Sequence, residues 1–74
     1  MSSEKKILSL FGNNVRRERL DKGISQEELA SIAGLHRTYI GMIERAEKNI
    51  TLTNASKIAK ALSVPLSLLI QSDK

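Results

Sequence analysis

The stretch SQEELASIAGLHRTYIGMIER occupies residues 25–45. It reads as two helical segments meeting at a glycine. Ser25 stands ahead of the first segment and Glu28 follows three residues later. That spacing lets each side chain bond the other residue's backbone amide, the capping box that opens a helix. Glu27 and Glu28 also put negative charge at the positive end of the helix dipole. Leu29, Ile32 and Ala33 give this helix its expected apolar face. Gly34 stops it, because glycine enters the left-handed conformation without a Cβ penalty. The next helix is expected from about His36 to Arg45. Ile40, Ile43 and Glu44 should project to one side of it, and Thr38, Gly41, Met42 and Arg45 to the other.

Two helices joined by a tight glycine turn form a helix-turn-helix. Leu29, Ala33, Leu35, Ile40 and Ile43 supply the apolar contacts between the pair. Ala30 is small where the two backbones would cross. A hairpin packed for stability alone would carry strong helix formers on its outer face. Instead Thr38, Gly41 and Met42 stand there, and Gly41 alone costs about 1 kcal/mol relative to alanine. A DNA major groove rewards such a face. It admits one α-helix, and its base edges are read by Arg, Thr and apolar groups.

The rest of the chain builds a support for this pair. Phe11, Val15 and Arg19 recur on one helical face, with Ile7 and Leu8 on or near it. Gly23 ends that first helix after Lys22, whose charge suits a C-terminus. Thr51 is the expected N-cap of a fourth helix whose inner face is Leu52, Ala55, Ile58, Ala59 and Leu62. Pro65 fits the first turn of a short fifth helix, PLSLLI, and the tail QSDK is expected to fray. The fold class is all-α, with five helices and no strand, in a single domain spanning residues 1–74. The helix-turn-helix takes residues 26–45 of it.

Composition sets the outer limits. The chain has 74 residues, enough for one small domain with a thin core. Phe11 and Tyr39 are the only aromatics, so the core must be aliphatic. There is no cysteine, which removes disulfides, thiolate metal sites and cysteine nucleophiles. The single histidine and scattered acids of Glu18, Asp21, Glu27, Glu28, Glu44 and Glu47 offer neither a catalytic constellation nor a metal site. No enzyme activity, cofactor or small-molecule ligand is expected. The N-terminal apolar run is broken by Ser9 and Gly12 and reads as no signal peptide. No run reaches transmembrane length, so a cytoplasmic protein is expected. Net charge is +4, which permits a polyanionic partner without requiring one.

Arg37 stands at the N-terminal end of the third helix, the end such motifs aim at bases. Its fork matches guanine O6 and N7. Thr38 either meets a base edge or thymine methyl or stands idle, and Met42 is the outward apolar candidate. Tyr39, on the flank, either reaches a phosphate or covers the core edge. His36 either caps the helix or contributes to site preference. Arg19 and Glu44 both fall on inward faces, and an unpaired buried charge is costly. The two should therefore meet and tie the first helix to the third. Ile50, Leu52, Leu66, Leu68 and Ile70, with Leu69, are more than one thin domain can bury. Residues from about 50 to 70 are thus the expected dimer interface.

SQEELASIAGLHRTYIGMIER resembles the helix-turn-helix of the Cro and phage-repressor (XRE-like) family. RLDKGISQEELA, LHRTYIGMIERAEKNITL and KIAKALSV are most similar to the controller proteins of restriction–modification systems. The resemblance covers residues from about 11 to 70. It implies a lambda-repressor-like five-helix domain that binds double-stranded DNA as a homodimer on a near-palindromic operator. Such a regulator controls its own promoter and times expression of the endonuclease. It also implies that Gln26 bonds a phosphate and braces the recognition helix, and that Lys48, Asn49 and Thr51 clamp the backbone. Arg17, with Arg16, is a further phosphate candidate. The equivalent of Arg19–Glu44 bridges two helices in phage repressors. Pro65 departs from the serine that often caps the last helix. Two other readings compete: a phage or plasmid repressor, and an antitoxin-like protein-interaction module. Salt separates the second from DNA binding, because phosphate-mediated affinity falls log-linearly with salt.

Overall fold

The computed structural model describes residues 3–72, with side chains from Lys5 onward. Five helices follow one another: α1 (Ser3–Asp21), α2 (Gln26–Ala33), α3 (Arg37–Glu44), α4 (Leu52–Leu62) and α5 (Leu66–Leu69). No strand occurs among the described residues. The start signals act as chemistry requires. Ser25 accepts from the Glu28 amide at 3.0 Å while Glu28 Oε1 accepts from the Ser25 amide at 2.7 Å. Thr51 caps α4 by accepting from the Asn54 amide at 3.1 Å. Gly23 and Gly34 take φ of +69° and +71°, and each ends its helix as expected.

α1 lies across α3 and touches α4 and α5, α2 packs on both α3 and α4, and α5 closes against α1 and α4. The core between them is aliphatic around one ring, Phe11. Val15, Leu29, Ile40, Ile58, Leu62 and Leu69 are fully enclosed. Each such side chain contributes about 1.5–3 kcal/mol by leaving water. Leu29, Ala30 and Ala33 bury one face of α2, and Ile40, Ile43 and Glu44 bury one face of α3.

Three expectations fail at the edges of helices. Ile32 is 61% exposed, because the inward stripe of α2 centres on Leu29, Ala30 and Ala33 and leaves position 32 beyond its rim. Leu52 is 81% exposed rather than inward. It opens α4, where the side chain leans back past the helix end and off the core. Pro65 precedes α5 as its N-cap, with ψ of 147°, instead of entering the first turn.

Two features went unread in the sequence. Asn14 is buried, and its amide donates to the carbonyls of Leu69 at 2.9 Å and Gln71 at 3.0 Å. That bond fastens the chain after α5 to α1, so the first residue of the expected fraying tail, Gln71, is held. Residues 73 and 74 of that tail lie outside the described residues. Ala46 takes φ of +60° straight after α3, while buried. Its amide bonds the Ile43 carbonyl at 3.1 Å.

Candidate nucleic-acid interface

The turn between α2 and α3 is built by backbone geometry. Gly34 sits at φ 71° and ψ 34°, and the next amide, of Leu35, returns to the Ala30 carbonyl at 2.9 Å. Those bonds use carbonyls that the end of α2 would leave unpaired. Ala30, expected at the crossing, is buried. His36 is the N-cap residue of α3, in extended geometry, but its side chain makes no capping hydrogen bond. Of its two readings, capping is therefore not what the ring does.

His36, Arg37 and Thr38 are all exposed at the leading end of α3, and Met42 is half-buried one turn further on. Gly41 lies on the face it was expected to share with Arg45, but beneath side chains and not in the open. It is buried, and a Cβ there would lie 3.1 Å from Arg45 Nη1 and 3.4 Å from Gln26 Oε1. The absent side chain makes room for Gln26 and Arg45 to cross α3. Arg45 itself is exposed, and Glu47 accepts from its Nε at 3.0 Å. That bond raises its pKa above the ordinary value.

Behind the exposed end stands a buried anchor. Arg19 donates through Nε to Glu44 Oε2 at 2.7 Å and through Nη2 to Oε1 at 3.1 Å. Its Nη1 donates to the Ile24 carbonyl at 3.0 Å. Gln26 Nε2 donates to the same Glu44 Oε1 at 3.0 Å. Bidentate geometry and a third donor are what a buried carboxylate needs to offset lost hydration. The hydrogen bonds that Arg19 donates to Glu44 raise the Arg19 pKa, opposed by burial and aided by charge attraction. α1, α2 and α3 are thus joined at one carboxylate.

The phosphate candidates divide into two places. Gln26 heads α2, while exposed Lys48, Asn49 and Thr51 follow α3. Tyr39 is half-buried with its ring against the core, and its hydroxyl accepts from Asn54 Nδ2 at 3.2 Å. Arg17 goes elsewhere: its Nη2 donates to Asn14 Oδ1 at 2.7 Å, beside the chain that follows α5. Asn14 was legible in principle, since Phe11, Asn14 and Val15 share the i, i+3, i+4 stripe. Nothing in the sequence pairs Asn54 with Tyr39.

Of the residues expected at a dimer interface, Ile50, Leu52, Leu66 and Ile70 line one apolar groove of about 300 Å³, together with Ile7, Leu8 and Phe11. Leu68 is half-buried and does not line it. It lies two residues from both Leu66 and Ile70, on another side of the last turn. Among the described residues no acid or histidine cluster is arranged to hold a metal, and no helix is long and apolar enough to cross a membrane.

The bent α2–α3 pair, its free leading end and its buried anchor define a helix-turn-helix protein. Residues 15–69 match the family model described as "Helix-turn-helix", and the chain belongs to that family of DNA-binding transcriptional regulators. It is 47% identical over 64 residues to the control protein C.SmaI of Serratia marcescens, covering 86% of this chain and 76% of that one. It is 55% identical over 59 residues to the control protein C.BamHI of Bacillus amyloliquefaciens, covering 78% and 73%. The crystal structure of the restriction–modification controller C.AhdI from Aeromonas hydrophila superposes with a TM-score of 0.82 at 44% identity, covering 84% of this chain and 94% of that one.

Proposed function

We propose that this chain is a restriction–modification controller that binds a near-palindromic operator as a homodimer in the cytoplasm, regulates its own promoter and times endonuclease expression. It works by binding and not by catalysis. The observation that carries the reading is the contrast between the two ends of α3. Glu44, at its back, is locked by Arg19 and Gln26, while Arg37 and Thr38, at its front, are exposed. A helix held so firmly at one end presents the other in a fixed pose, which groove recognition requires.

In this reading Arg37 contacts guanine, and Thr38, His36 and Met42 complete the base-facing surface. Gln26, Tyr39, Lys48, Asn49 and Thr51 hold phosphates and set register. Arg17, exposed on α1, adds a phosphate contact through the guanidinium donors that Asn14 does not use. The groove between α1, α4 and α5 receives the second copy through Ile50, Leu52, Leu66 and Ile70. The similarity to C.SmaI, C.BamHI and C.AhdI supports the controller role.

Selection of binding sites from random duplexes tests the reading directly. The expected product is a two-fold half-site pair whose centres lie ~34 Å apart, one turn of DNA. A reporter fused to the chain's own promoter should then respond to its expression. Recovery of no preferred sequence, with binding insensitive to salt, would end the proposal in favour of a protein-interaction module.

A further inference from the structure

We propose that Asn54 is a positioning residue that aims the hydroxyl of Tyr39 at the DNA backbone. The inference rests on the reading of Tyr39 as a phosphate contact, and names what sets the direction of its proton. The Tyr39 ring packs against the core cluster, so the phenol oxygen has a fixed place. Only the O–H torsion is left to choose. Asn54 Nδ2 donates into that oxygen at 3.2 Å. A phenol has one proton and spare lone pairs, whereas an amide nitrogen only donates. With a lone pair committed to Asn54, the phenol proton must point away from the amide. It is then free to donate to an oxygen outside the fold.

The amide is itself well held. Asn54 lies in the first turn of α4, and its backbone N–H donates to the cap oxygen of Thr51 at 3.1 Å. Helices α3 and α4 pack chiefly through α1 and α2 rather than on each other. The Tyr39–Asn54 bond is thus a direct polar tie from the recognition helix to the helix behind Lys48, Asn49 and Thr51. A phosphate reached by that loop and one reached by Tyr39 are set in common register by it.

The test measures affinity for the selected operator duplex with Tyr39→Phe, Asn54→Ala, Asn54→Asp and the double variants. Tyr39→Phe should lose on the order of tenfold, the scale of a hydrogen bond to a charged group. Its salt slope should not change, because the lost donor is neutral. Asn54→Ala should lose several-fold with melting unaltered. Asn54→Asp can only accept, so it draws the phenol proton inward and should lose as much as Tyr39→Phe or more. In the Tyr39→Phe background Asn54→Ala should cost nothing further, since its effect passes through the hydroxyl. The same loss from Asn54→Ala with and without that hydroxyl overturns the proposal. So does full affinity for Asn54→Ala beside a weakened Tyr39→Phe, and the phosphate reading then survives. Wild-type affinity for Tyr39→Phe removes the phosphate reading itself.

Discussion

Gly12 and Ile43 meet backbone to backbone. A Cβ on Gly12 would collide with the carbonyl oxygen of Ile43 and lie 2.9 Å from that of Glu44. Helix α1 therefore crosses the last turn of α3 at a separation that only glycine allows. The Arg19–Glu44 bridge joins the same two helices. The close crossing and the ion pair fix one geometry between them, and that geometry sets the pose of Arg37.

Gly12→Ala should destabilise the protein. At an exposed helix position the change to alanine stabilises by about 1 kcal/mol. Here the new methyl meets backbone atoms that cannot rotate aside. Overpacking of that kind costs about 1–3 kcal/mol, occasionally more, so the sign reverses. The midpoint of thermal unfolding should fall by about 4–8 °C for each kcal/mol lost. A higher midpoint would mean that the two helices part without penalty.

Glu44→Ala should be worse. It leaves the Arg19 guanidinium buried without its carboxylate and takes an acceptor from Gln26. Removing one partner of a buried pair costs about 3–5 kcal/mol, which urea unfolding would resolve. The Arg19 pKa is raised, so its contribution is complete below the unfolded value and fades only as pH climbs through the higher folded one. Stability should accordingly show no loss from this pair between neutral and mildly alkaline pH. An unfolding midpoint for Glu44→Ala equal to the parent's would show the pair to be idle.

How much of this was legible depends on the kind of signal. Ser25 with Glu28, Gly34, and the inward charges Arg19 and Glu44 were readable because each rule concerns a few residues along one helix. Ile32 and Leu52 misled for the opposite reason. Burial at the rim of a stripe depends on where the neighbouring helix ends, and periodicity does not carry that. Gly41 reads in the sequence only as a concession to a docking groove, and its place under Gln26 and Arg45 within the protein itself was not legible. The Asn54 amide on Tyr39 joins residues 15 apart in sequence through two helix ends, and no local pattern marks it. Of the residues proposed to face bases, His36, Arg37 and Thr38 are exposed as expected and Met42 is half-buried, and the partners proposed for them lie outside this chain.

Arg37→Ala should relax discrimination at one base pair and cost about 1–3 kcal/mol on the selected operator. Arg37 is exposed and has no role in the buried bridge, so melting should hold. Competition among duplexes differing at single positions is the measurement. A loss equal on every duplex would move Arg37 from bases to phosphates.

Lys48→Ala should act in the contrary way. The residue is exposed in the loop after α3 and would neutralise a phosphate. Losing one such contact should lower the slope of log affinity against log salt by about 0.9, with base preference intact. A salt titration from low to moderate ionic strength reads this. An unchanged slope would place the lysine away from the backbone.

Leu52→Glu separates association from folding. Leu52 is 81% exposed in the single chain, so a carboxylate there leaves the core of each subunit untouched. It also lines the groove with Ile50, Leu66 and Ile70, where a second copy would have to bury its charge. Burying an unpaired carboxylate costs several kcal/mol, twice over in a two-fold interface. Sedimentation should show a parent dimer and a Leu52→Glu monomer with the same unfolding midpoint when extrapolated to low concentration. Operator binding by the variant should weaken most on sites with both half-sites, because each monomer then binds alone. If Leu52→Glu sediments as the parent does, the groove is not where the copies meet.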